Sequence, residues 1–222
     1  MDDYQTLKKF WDDSFRSLKP EKITGKWVLD EGFNHVIKSS LTEDSKVLDF
    51  GCGSGWGLFE LFFTQPFAYG LGIDQSSQVI KCDQEIAQLS SLDHLHFMVG
   101  DEANLLQFPA YFDFILSVNT IDVVPDEIAK KIVNSLSQSL AKDGTCLIGI
   151  NPSFTIDEMT YLLKMTAKDH YYYRDNILRC NYKSVEQWLD FLKPYFKEVS
   201  FIKVALIEQE KKYPRTMFIC KK

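Results

Sequence analysis

Between Lys46 and Ile150 the sequence alternates short apolar runs with stretches of helical periodicity. The runs "KVLDF", "FAYGLGI", "HLHFMVG", "YFDFILSVN" and "GTCLIGI" read as strands. "WGLFELFFT", "SSQVIKCDQEIAQLS" and "EIAKKIVNSLSQSLAK" read as helices between them. Strands joined through helical crossovers are parallel, with helices on both faces, so this region is an α/β, doubly wound sheet. The end of the chain breaks the pattern. "EVSFIKVALIEQ" and "RTMFICKK" follow each other too closely for a parallel connection, which needs a dozen or so residues, so they form an antiparallel hairpin.

This frame divides one domain, residues 1–222, into four parts. Residues 1–44 form a helical cap, with Phe10, Trp11, Ser14, Phe15 and Leu18 near one face at helical spacing. Residues 45–151 form the core, and 183–222 a helix and the hairpin. Residues 152–182 are too long for an ordinary connection and are expected to form a lid or substrate cap with its own helix.

Charge and cysteine usage narrow the function classes. The formal net charge of −6 gives no whole-chain attraction to nucleic acid, so such partners are disfavoured. The cysteines at 52, 82, 146, 180 and 220 contain no C-x-x-C pair, which suits a reduced protein better than a disulfide framework or a zinc site. The N-terminus "MDDYQTLKKFWDDSF" has no basic region before an apolar block, and no apolar run approaches the roughly 18 residues of a membrane span. The expectation is a cytoplasmic protein, monomer or homodimer, without membrane contact.

In an open α/β sheet ligands bind beyond the carboxyl ends of the strands. Four of those ends carry Asp49, Asp74, Asp101 and Asn119. Gly51, Gly53 and Gly55 allow a tight turn and a close backbone approach to a ligand. The dinucleotide fingerprint G-x-G-x-x-G fails, because its third position is Trp56 read from Gly51 and Leu58 read from Gly53. Asp74 can accept both hydroxyls of an adenosine ribose. Asp101 can accept from the exocyclic adenine amine, with Glu102 and Ala103 beside it. An adenosyl ligand that needs no phosphate cradle and tolerates acids around a cationic centre is S-adenosylmethionine (SAM), with its α-amino group near Asp49.

The motifs resemble those of the class I SAM-dependent methyltransferases. "VLDFGCGSG" resembles that family's first motif, "GIDQS" its acidic second strand end, and "GDEANL" its adenine-contact motif. "FDFILSVNTIDVV" resembles the fourth-strand motif, and "LAKDGTCLIGI" the turn into strand five. The resemblance implies a seven-stranded sheet of order 3-2-1-4-5-7-6 with the last strand pair antiparallel. It also implies an enzyme that uses SAM and releases S-adenosylhomocysteine (SAH). The cofactor-binding residues it implies are Asp49, Gly51, Cys52, Gly53, Gly55, Asp74, Gln75, Asp101, Glu102 and Asn119.

Methyl transfer from a sulfonium is an in-line displacement, helped mainly by orientation and water exclusion. A general base is needed only for a protonated, weakly acidic acceptor. His170 is the candidate base, beside Tyr171, Tyr172 and Tyr173, against the alternative of a lid anchored by aromatics. Tyr4, Trp11, Asp122, Tyr171 and Tyr172 are substrate-pocket candidates, and Trp27 and Trp56 could shield the site. "NPSF" at 151–154 follows strand five, so it reads as a strand terminator and not as the amino-methyltransferase signature, which belongs after strand four. No metal ligand set is evident. The expected acceptor is a small molecule. The alternatives are an RNA or protein acceptor, with a basic stripe of Lys203, Lys211, Lys212 and Arg215, or a non-catalytic adenosyl-binding protein.

Overall fold

The computed structural model describes residues 3–222, with side chains from Gln5 onward. Helices α1 (Asp3–Ser14) and α2 (Glu31–Ser40) precede the alternating region. That region runs β1 (Lys46–Phe50), α3 (Trp56–Thr64), β2 (Tyr69–Asp74), α4 (Ser77–Leu89), β3 (Leu95–Val99), β4 (Phe112–Val118), α5 (Asp126–Ser139) and β5 (Leu140–Pro152). There follow β6 (Thr166–Lys168), β7 (Tyr171–Arg174), β8 (Ile177–Asn181), α6 (Val185–Leu192), β9 (Glu198–Val204) and β10 (Arg215–Lys221).

The main sheet has seven strands in the order β3-β2-β1-β4-β5-β10-β9. β1 pairs in parallel with both β2 and β4, and every β1 residue after Lys46 is buried. Burial on both faces explains why "VLDF" reads as a continuous apolar run rather than an alternation. β10 runs antiparallel to β9, as the short hairpin connection requires, and antiparallel to β5 as well. The two faces hold separate cores. Phe33, Ile37, Leu58 and Phe59 pack on one, and Ile115, Ile132, Leu136 and Trp188 on the other. Chain order reverses between β1 and β4, and this opens a crevice at their carboxyl ends.

The insertion departs from the expected helical lid. Only one π-helical turn, Glu158–Leu162, is present, and β6, β7 and β8 form a separate antiparallel sheet. The reason lies in the turn. Arg174 pairs with Ile177 across Asp175 and Asn176, both left-handed, with φ of 54° and 61°. Two consecutive left-handed residues make the turn whose twist matches a β-hairpin, and Asp and Asn tolerate it best after glycine. The tyrosine run beside it suits a strand.

This small sheet is tied to the start of α5. Asp126 accepts from Lys183 Nζ at 2.5 Å and Asn181 Nδ2 at 2.7 Å, and pairs with His170 Nε2 at 3.1 Å. Helix α1 crosses the crevice. Ser76 Oγ donates to Asp12 Oδ1 at 2.7 Å, and the Arg179 guanidinium of β8 lies 4.4 Å from the Phe10 ring centroid and 5.5 Å from that of Trp11.

Candidate active site

At the crevice lies a cavity of about 250 Å³, walled by the glycine turn, the ends of β2 and β4, and α1. Gly51, Gly53 and Gly55 have φ of 71°, 51° and 67°, so all three glycines sit where a side chain would strain the backbone. Their surroundings differ. A Cβ on Gly51 would stand 2.4 Å from Thr120 Oγ1, so this glycine lets the turn pack under the β4 loop. A Cβ on Gly53 would meet only Phe15, at 3.6 Å, from the α1 side of the cavity. Gly53 thus keeps open the cradle that a ligand would fill.

Gly55 does not line the cavity. It starts α3, and a Cβ there would strike Phe59 and Asp83. Asp49 is also outside the lining. It is buried, and its Oδ2 accepts from the Leu58 amide at 3.0 Å, which holds the first turn of α3. Both residues support the turn from behind rather than lining the cavity.

Asp74 does line the cavity. Its Oδ2 accepts from the Gly53 amide at 3.0 Å and its Oδ1 from the Ser76 amide at 2.9 Å. Each oxygen keeps a lone-pair direction for a further donor. Burial raises its pKa, against the opposing pull of those amides. Asp101 Oδ1 accepts from the Ala103 amide at 3.0 Å, while the Asp101 amide donates to Asn104 Oδ1 at 2.9 Å, so "GDEAN" forms a self-bonded turn. Asp101, Glu102, Gln75, Cys52 and Asn119 all line the cavity.

Sequence reasoning did not single out Asp83. It lies on the buried face of α4 with Val79, Ile80 and Ile86, under the glycine turn. Burial, with Asp49 and Asp74 nearby, raises its pKa to about 9, and burial holds Asp49 at about 7. Burial and the same acids push the Cys52 thiol far above its ordinary value, so it is no nucleophile at neutral pH. An acid at i+4 from Val79 and i−3 from Ile86, on an otherwise apolar face, is the sequence signal that marks Asp83.

The acceptor-side candidates separate. Trp11 lines the cavity, together with Leu7, Phe15 and Trp56. The Tyr4 side chain lies outside the described residues. His170, Tyr171, Tyr172 and Asp122 do not line the cavity. His170 is held by Asp126, and the Tyr171 hydroxyl accepts from the Asp126 amide at 3.1 Å. Tyr172 is buried, its ring 6.0 Å from that of Tyr182. Asp122 is buried behind the loop, where its Oδ2 accepts from the Asn151 amide at 2.7 Å and Nδ2 at 2.6 Å. Burial raises its pKa to about 6 in spite of those bonds. The anchoring reading of the tyrosine cluster therefore fits the geometry, and Asn151 has a partner as well as a place at the strand end.

Trp27 is 41% exposed and lies away from the cavity. Arg215 is buried against Glu210, so it cannot belong to a surface stripe. Among the described residues the cavity lining contains no His, Lys, Arg or Tyr, and its charged members are Asp74, Asp101 and Glu102. Among the described residues no group of three or more His, Cys, Asp or Glu could hold a metal ion. No helix among them is long and apolar enough to cross a membrane.

A sheet of this order, a glycine cradle without a phosphate fingerprint and acids at the next two strand ends define the class I SAM-dependent methyltransferases. Residues 41–214 match the family model of the methyltransferase domain, and the chain belongs to that family. The protein-lysine N-methyltransferase EFM4 of Saccharomyces cerevisiae is 25% identical over 183 residues, covering 71% of this chain and 79% of its own. Norajmaline N-methyltransferase of Rauvolfia serpentina is 30% identical over 106 residues, 45% of this chain and 35% of that protein. A SAM-dependent methyltransferase of Methanosarcina mazei superposes with a TM-score of 0.67 at 18% identity, covering 84% of this chain and 96% of that one, and shares the fold. The protein is a methyltransferase and its cofactor is SAM. The cradle at Gly53 and the wholly acidic set of charged groups fit a cationic adenosyl ligand.

Proposed function

We propose that this enzyme methylates an amine nitrogen on a small organic acceptor. The observation that carries the reading is the acceptor wall. Leu7, Trp11, Phe15, Trp56, Val123 and Val124 line it, with no group among them that could take a proton. A phenol or alcohol would need such a base, whereas an amine that enters neutral attacks through its own lone pair and loses its proton to water afterwards. Aromatic faces also stabilise the cationic product as charge develops. Bound SAM supplies the methyl group as an electrophile on sulfur. The chain contributes orientation and water exclusion.

On this reading Asp74 holds the ribose hydroxyls with Gln75 beside it, Asp101 and Glu102 the adenine end, and Gly51, Cys52, Gly53 and Asn119 surround the methionine end. Asp74→Ala should weaken SAM binding about tenfold to a hundredfold, the worth of hydrogen bonds to a charged group, while the thermal transition stays cooperative. Unchanged affinity would remove Asp74 from the ribose.

A second reading has support from the yeast relative, which by name acts on protein lysine. Incubating the enzyme with methyl-labelled SAM and a cell extract, then separating protein from small molecules, distinguishes the two. Label in small amines is expected. Label confined to protein would replace the small acceptor with a lysine side chain.

A further inference from the structure

Asn119 follows β4 with φ of 55°, a left-handed conformation that costs a non-glycine residue energy. Its amide donates to Gly149 O at 2.8 Å, and the residue lines the cavity. Its side-chain Oδ1 accepts from Arg215 Nη1 at 2.8 Å, across a sequence separation of 96. The guanidinium is itself fixed. Arg215 Nε donates to Glu210 Oε2 at 2.9 Å and Nη2 to Glu210 Oε1, while Glu210 Oε2 also accepts from the Leu206 amide at 2.9 Å. Arg215 is 5% exposed and Glu210 8%.

A buried ion pair is a poor source of stability compared with apolar packing, so its place directly behind a cavity residue asks for another role. A guanidinium only donates, so Asn119 must turn its oxygen toward it. The amide is thereby oriented, and Nδ2, a pure donor, is the end left for a ligand. Among the described residues, the charged ones that line the cavity are all carboxylates. The methionine end of SAM brings a carboxylate of its own, which can lie among them only where an N–H donor meets it.

We infer that Arg215 is a positioning residue that acts through Asn119, holding Nδ2 as donor to the carboxylate of the cofactor's methionine moiety. The inference rests on the placement of the cofactor in this cavity proposed above. Calorimetry with two ligands tests both. SAH carries the amino-acid end, and 5′-methylthioadenosine lacks it. N119A and R215M should each weaken SAH about tenfold and methylthioadenosine less than about twofold. The double variant should bind SAH no worse than either single one, because Arg215 has no path to the ligand except Asn119. N119D keeps an acceptor for Arg215 but puts a carboxylate where the donor stood, so it should bind SAH more weakly than N119A. Equal losses for both ligands, additive losses in the double variant, or wild-type affinity in N119D would each overturn the inference. If R215M fails to fold, R215K, which keeps the charge without the planar fork, takes its place in the cycle with N119A. Failure of the wild type to bind either ligand would instead overturn the placement of the cofactor.

Discussion

Asp83 carries an unusual burden for a single side chain. It is fully buried, and its Oδ1 has no hydrogen-bond partner. An unfolded aspartate ionises near 3.8, whereas burial and the neighbouring acids keep the folded group protonated to about 9. Between those values the unfolded chain binds fewer protons than the folded one, so this residue lowers stability as pH rises. Asp83→Asn cannot ionise and should gain on wild type by on the order of 1–3 kcal/mol between pH 5 and pH 8. Thermal melts across that range would read it as a widening difference in Tm, and a constant difference would mean that Asp83 is charged in the folded protein. The residues that line the cavity at strand ends, Asp74, Asp101 and Asn119, were legible in the sequence because strand ends are fixed by hydrophobic pattern. The places of Asp49 and Gly55 were not. Which way a side chain or Cβ points from a tight turn depends on φ and on the packing partner, and here Leu58, Phe59 and Asp83 decide it.

Among the elements, the inserted sheet was the least legible. In residues 152–182 the length and aromatic content point to a lid, while the decisive signal is the dipeptide Asp175-Asn176. The sheet is marginal by itself, since small antiparallel sheets need outside packing, and Asp126 supplies an anchor. Burial pushes the Asp126 carboxyl up, but hydrogen bonds from Lys183 and Asn181 and the charges of Lys183 and His170 outweigh it and leave its pKa below 3.8. A carboxylate with a lowered folded pKa stabilises above its unfolded value, and that contribution fades as pH falls through the folded one. Asp126→Ala should therefore release the sheet at neutral pH and make less difference below about pH 4. Hydrogen exchange of the β7 and β8 amides should rise about tenfold at pH 7, corresponding to roughly 1–2 kcal/mol. SAH affinity should move less than about twofold, because Asp126 does not line the cavity; a large loss would mean that the sheet shapes the cofactor site.

At the scale of the molecule, a parallel sheet closed by an antiparallel pair was readable because alternating elements leave few topologies and the terminal hairpin fixes the last two strands, while the strand order followed from the resemblance of the motifs. The cross-chain contacts were not. Nothing local in "KKYPRTM" announces that its arginine will meet an asparagine after β4, and nothing in "KKFWDDSF" that Asp12 will bond Ser76. The cavity therefore depends on regions far apart in the chain: the glycine turn, the ends of β2 and β4, the loop of residues 100–102 after β3, α1 and α5. A ligand that binds such a site only in the folded state stabilises the whole chain through mass action. SAH at a hundredfold excess over its Kd should add about 2.7 kcal/mol, a rise of roughly 5–10 °C in Tm for a chain of this size. NAD should produce no comparable shift. The turn lacks the third glycine of the dinucleotide fingerprint, which lets the helix pack closely on its strand, and the cavity offers Asp74, Asp101 and Glu102 where two phosphates would bring more negative charge. A shift with NAD equal to that with SAH would mean that the turn still cradles phosphate in spite of Trp56 and those acids.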